Sequence, residues 1–112
     1  MASIYVSNLV INAGATFTQD FFLEDAASNA ALNLSTATVE SQMRKWSGSA
    51  TATSFVTSVV DASTGQLRLT LPASSTSSLK SGRYVYDILL TNNGETTRVV
   101  EGMVLVREGV TR

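Results

Sequence analysis

Few side chains in this sequence are equipped for chemistry. It holds no histidine and no cysteine, which removes histidine-based triads, thiolate nucleophiles, and imidazole or thiolate metal sites. Serines are plentiful, but a nucleophilic serine needs a base and a sharp turn. Ser47-Gly48-Ser49 approaches a Gly-x-Ser-x-Gly elbow, yet it lacks the second glycine and any histidine partner. Composition leaves Ser–Lys catalysis open, but its candidates Ser78 and Lys80 lie in a segment that reads as a turn. Asp20, Glu24 and Asp25 form the acidic cluster. Calcium takes about six to eight oxygens, usually from one tight loop, whereas these three straddle a strand end and read as a solvated edge. A paired-carboxylate glycosidase would need a cleft with substrate-binding aromatics; aromatics are 7% of the chain and sit mostly at core positions. No glycine-rich loop suits a phosphate. The chain is read as a non-enzyme without catalytic residue, metal or cofactor.

The elements around these residues are strands. Period-two alternation recurs, and no 3.6-residue apolar period is sustained over helical length. Leu67, Leu69 and Leu71 alternate with Gln66, Arg68 and Thr70. Tyr84, Tyr86, Ile88 and Leu90 share one face of another strand. Ala37, Val39, Ser41 and Met43 share a third, and Phe55 opens a fourth through Val56, Val59 and Val60. Phe17, Phe21 and Leu23 point one way and Phe22 the other. Ile4 and Val6 alternate in one phase, Leu9 and Ile11 in the other. The slip at Ser7-Asn8 suggests a bulge or bend, which in a sandwich can carry the first strand from one sheet to the other. Turns are read at Ala13-Gly14, Asp61–Gly65 and Asn92-Asn93-Gly94, the last with the strong Asn-Gly hairpin signal. Asp25–Ser35 reads as a long connection, and Pro72–Ser81 as a connection with one short helical turn. About seven strands at such spacing predict an all-β, two-sheet sandwich, with residues 1–112 as one domain.

Composition narrows the partners. Net charge is −1 and the basic residues are scattered, so nucleic acid is not an expected partner. The N-terminus has no basic region followed by an apolar run, so no signal peptide is expected. No stretch has the roughly 18 apolar residues of a membrane span. Charged residues are 15%, against about 25% in a typical domain. Strand-rich chains often look this way, and so do surfaces that touch other protein.

Leu79-Lys80-Ser81-Gly82-Arg83-Tyr84-Val85-Tyr86 has the form of the immunoglobulin tyrosine corner. There a tyrosine lies two residues before the buried position that antibodies fill with cysteine. Tyr84 suits the corner, Tyr86 the buried position, Gly82 the turn before them, and Leu79 a plug below. The same residues also suit two core tyrosines on an ordinary strand. Trp46, at the end of its strand, is a candidate for the ring that packs across the sheets.

With the corner in place, the chain resembles small virion proteins of tailed phages and the immunoglobulin-like N-terminal domain of phage baseplate upper proteins. Gly14-Ala15-Thr16-Phe17, Gln42-Met43-Arg44-Lys45, the run Gly65–Leu71, the corner and the run Glu101–Val106 carry the resemblance. It implies a structural subunit in the head, neck, tail or baseplate, made in the host cytoplasm, located in the virion and held by other virion proteins. Within these 112 residues no helical or receptor-binding region is expected after the domain, a departure from baseplate upper proteins that leaves the place on the particle open.

The last strand suggests how such a subunit would assemble. Val100, Val104 and Val106 alternate with Val99, Met103 and Leu105, although a half-buried strand needs one apolar face. The second set is expected to face outward and to serve a homo-oligomer, unless the Asp25–Ser35 connection covers it. The alternative reading is a carbohydrate- or receptor-binding module using Trp46 and Asn92-Asn93; an exposed Trp46 beside a polar groove would favour it.

Overall fold

A computed structural model of the chain describes residues 5–23, 34–92 and 94–110. Ile4, Glu24, Asp25, Asn93 and nearly all of the Asp25–Ser35 connection lie outside the described residues. The strands are β1 (Tyr5–Val6), β2 (Leu9–Asn12), β3 (Phe17–Phe22), β4 (Thr38–Arg44), β5 (Ala52–Ser54), β6 (Val56–Asp61), β7 (Gln66–Leu71), β8 (Gly82–Asn92) and β9 (Glu95–Arg107). A one-turn helix, α1 (Ala73–Thr76), precedes β8. One sheet runs β1-β9-β8-β4-β5 with β2 also on β9, and the other runs β3-β7-β6. The chain is an all-β, two-sheet sandwich. There are nine strands where about seven were read, because the first segment is broken in two and the short β5 precedes the segment opened by Phe55.

The first break is at Ser7-Asn8. β1 and β2 both pair with β9, in parallel and in one register: Val6 opposite Glu101, Leu9 opposite Val104. The expected passage of the first strand between sheets therefore does not occur. Leu9 and Ile11 are buried and Val6 is exposed, so the described residues keep one phase across the bend. The passage occurs instead at Phe55. β5 pairs with β4 in the larger sheet and β6 with β7 in the smaller. The Phe55 N–H donates to the Ser41 carbonyl at 3.0 Å, and the Thr57 hydroxyl donates to the Val39 carbonyl at 2.9 Å.

Alternation explains the core. Leu67, Leu69 and Leu71 of β7 are buried, as are Phe17 and Phe21 opposite them. From the larger sheet come Ser41, Met43, Tyr86, Ile88, Val100 and Val104. Phe55 fills the space between the sheets. Its ring centroid lies 5.9 Å from that of Phe17 and 6.2 Å from that of Tyr86, the latter edge-on, geometries that aromatic quadrupoles favour. Trp46 does not take this place; it is 61% exposed, because β4 ends two residues earlier and carries it past the edge of the core.

The connections follow their turn chemistry. Gly94 has φ +79° in the tight β8–β9 turn that sets Asn92 opposite Glu95, a left-handed conformation that costs glycine little. Thr76 is fully buried. Its hydroxyl donates to the Ala15 carbonyl at 2.8 Å and accepts from the Gly14 N–H at 3.1 Å. That one side chain fastens α1 to the β2–β3 turn.

Candidate functional site

The corner residues converge at the start of β8. The Tyr84 hydroxyl donates to the Lys80 carbonyl at 2.8 Å, inside the connection that leads from β7 to β8. Gly82 has φ +137°, outside the range comfortable for L side chains, and a Cβ there would meet the Lys45 ammonium at 2.7 Å. That ammonium lies 4.8 Å from the Tyr84 ring centroid, within cation–π range. Leu79 packs against the core from below. Tyr84 is half-buried rather than enclosed, since it sits at the open end of the sandwich under a lysine.

Tyr86 lies deeper. It pairs with Gly102 of β9 on one side and Met43 of β4 on the other. Its hydroxyl donates to the Ser7 carbonyl at 2.6 Å. The Ser7 carbonyl occupies the space where a Cβ on residue 102 would stand. Asn8 completes the bend: its side-chain oxygen accepts from the Met103 N–H at 3.1 Å. Gly102 had a readable signal, a glycine inside a strand marking close backbone approach. The roles of Asn8 and Thr76 had none.

The outward set on β9 needs one correction. Met103 and Leu105 are 44% and 43% exposed, but Val99 is fully buried. The β8–β9 ladder steps from Ile88–Val100 to Leu89–Arg98. Val99 is the extra residue of this bulge and turns inward beside Val100, which strict alternation cannot anticipate. Val10 takes up the exposed strip instead. It pairs with Leu105 and is 51% exposed, and Val6 along the same edge is 76% exposed.

Beyond Met103 the same outer face dips into a groove of about 830 Å3. Val85, Asp87 and Leu89 of β8 line its middle, and Trp46 stands on its wall. An ion pair crosses it, with Arg98 Nε 3.2 Å from Asp87 Oδ2. Asn92 is not part of this site. Arg44 pairs with Val85 while Thr38 pairs with Thr91, rungs about 20 Å apart at the usual strand rise, and Trp46 and Asn92 lie beyond them at opposite ends of the sheet. The Asn92 side chain is held locally, its oxygen accepting from the Thr36 hydroxyl at 2.8 Å.

Ser78 and Asp20 are engaged elsewhere. The Ser78 hydroxyl donates to the Ser75 carbonyl at 2.9 Å. Asp20 faces Arg68 in the β3–β7 ladder and accepts from it through both oxygens, at 2.7 and 3.1 Å. The Arg68 hydrogen bond holds the Asp20 carboxyl below its usual range, with further help from Gln66. Among the described residues no group of three or more acidic side chains gathers to hold a metal.

No protein-family model and no curated protein matches the chain. Solved structures do. InlP of Listeria monocytogenes is similar with a TM-score of 0.53 and 16% identity, over 93% of this chain and 27% of that one. The N-terminal domain of ORF48 of phage TP901-1 is similar with a TM-score of 0.53 and 10% identity, over 94% of this chain and 97% of that domain. The likeness is one of fold. This chain spans about a quarter of InlP but nearly the whole of the phage domain.

Proposed function

We propose that the protein is a non-enzymatic structural subunit of a phage particle that assembles through the outer face of its six-stranded sheet. The observation that carries the proposal is the exposed strip of Val6, Val10, Met103 and Leu105. Val10 lies opposite Leu105 in the β2–β9 ladder, Met103 stands two residues before Leu105 on β9, and an exposed apolar surface of this kind marks a contact site. Two further observations support the reading. The fold extends over nearly the whole of a phage protein domain, and Ser78 and Asp20 are held in a backbone hydrogen bond and an ion pair.

Light scattering on purified protein tests assembly. An oligomer is expected, and Met103→Lys should dissociate it while the far-UV β spectrum survives. A monomer at high concentration, with Met103→Lys folding normally and no more soluble than the parent, would overturn the proposal. Portal, capsid or tail genes beside this gene would support the phage assignment.

A further inference from the structure

We infer that the groove beside Trp46 binds a neutral oligosaccharide, with the indole as a stacking platform for one pyranose ring. The inference does not rest on the assembly reading and competes with it for part of one face, since Val6 and Met103 line the groove as well as the exposed strip. It begins with a large apolar side chain that the fold leaves in solvent yet holds in place. Trp46 is 61% exposed. The turn that carries it is closed by the Ser49 N–H donating to the Trp46 carbonyl at 2.9 Å. The Arg44 guanidinium clamps the same turn by donating to the Ser49 carbonyl at 2.5 Å. Gly48 lies directly against the benzo edge of the indole, in contact so close that a Cβ there would enter the ring. The indole is therefore backed by main chain, and ordering it has been done before any ligand arrives.

What the groove offers beside the ring selects the ligand class. The electron-rich indole face attracts C–H bonds polarised by neighbouring oxygens, such as those on the flat side of a pyranose. Polar groups line the groove in balanced charge: Arg44 and Arg98 against Asp87 and Glu101. A strongly anionic or cationic ligand would meet as much repulsion as attraction, whereas a polyhydroxyl ligand can use donors and acceptors alike. The Gln42 amide donates to the Ser54 hydroxyl at 3.4 Å and accepts from the Arg44 guanidinium at 3.1 Å, which leaves one N–H and one lone pair for a ligand. The volume, about 830 Å3, lies within the roughly 300–1,000 Å3 of ligand sites and suits several linked sugars. The lone indole counts against a proline-rich peptide, whose grooves are lined by several aromatics.

The chain has one tryptophan, so tryptophan emission, excited selectively over the three tyrosines, reports on this site alone. The probes are neutral hexasaccharides of glucose, galactose, xylose and N-acetylglucosamine. At least one should give a saturable emission change that persists in high salt. Trp46→Ala, followed by calorimetry because it removes the fluorophore, should weaken binding at least about tenfold, as loss of an aromatic anchor does, with the β spectrum retained. Gly48→Ala keeps the fluorophore and should weaken binding by displacing the ring. No saturable response to any probe would overturn the inference. So would calorimetric binding unchanged in Trp46→Ala, binding confined to charged glycans and abolished by salt, or a response to proline-rich peptide alone. An emission change that follows protein concentration, without sugar, and disappears in Met103→Lys would assign the groove to a second copy and also overturn it.

Discussion

The Tyr86 hydroxyl reaches the carbonyl of Ser7, 79 residues earlier in the chain, at 2.6 Å, and it does so across Gly102, the residue opposite Tyr86 in the ladder. Three positions thus specify one another. The bend at Ser7-Asn8 breaks the first strand and frees a carbonyl. The missing side chain at position 102 lets that carbonyl come close, and the tyrosine satisfies it. Removing any one of the three leaves a buried polar group or a clash.

Tyr86→Phe is therefore expected to cost more than Tyr84→Phe. Both lose one hydrogen bond, but the first leaves the Ser7 carbonyl beneath a ring that is 4% exposed. The costs should be about 1–3 and about 0.5–1.5 kcal/mol respectively. Urea midpoints of the two variants check the order.

Gly102→Ala should destabilise by about 1–3 kcal/mol, because the Ser7 backbone must shift. A milder loss, about 1–2 kcal/mol from backbone strain alone, is expected for Gly14→Ala, where φ is +86° and a Cβ would meet nothing. Thermal unfolding of the pair separates steric from conformational cost.

Thr76→Val keeps the shape and removes the hydroxyl that serves both the Gly14 N–H and the Ala15 carbonyl. The expected loss is about 1–3 kcal/mol. Amide exchange should rise first at the β2–β3 turn and α1, the two parts this side chain joins.

Stability should fall at both ends of the pH scale. Burial pushes the Tyr86 hydroxyl up to about 12, while an unfolded tyrosine titrates near about 10. A raised acid pKa stabilises fully below the unfolded value, and the contribution is lost as pH climbs toward the folded one, at about 1.4 kcal/mol per unit. Tyr86→Phe should flatten that slope. In acid the sign reverses. The Arg68 hydrogen bond depresses the Asp20 pKa, so its contribution is present above the ordinary carboxylate value and lost as pH falls below it. Asp20→Asn should flatten the acid limb. Urea titrations across pH on both variants check these slopes.

Val99→Lys and Met103→Lys should differ sharply although both residues were read as outward. The first buries a charge beside Val100 and should abolish folding; the second changes the surface. Far-UV spectra distinguish them. The contrast shows where the sequence was readable. Alternation placed Leu67, Leu69, Leu71 and Met43 correctly because each lies in an unbroken ladder with one face to the core. It failed at Val99, where a bulge inserts one residue and reverses the parity. It failed again at Ser7, where two phases suggested a change of sheet although the described residues keep one register on β9. Pairing partners, not composition, decide such points. Trp46 was open to two readings, and its 61% exposure removes the core one; Phe55 was read as opening a strand, but the short β5 before it lies in the other sheet, so the chain changes sheets at that residue.

The parallel pairing of β1 and β2 with β9 has a mechanical consequence. Tyr5 lies opposite Val100 and Asn12 opposite Arg107, so the start of the first strand and the end of the last point in opposite directions along the sheet. Tension applied through residues 5 and 107 would not peel the strands apart one rung at a time. It would load the whole β2–β9 ladder in shear, with the slanted bonds of a parallel pair resisting together. Failure would require them to break in one event, which suits a module that must transmit a pull along its strands without opening.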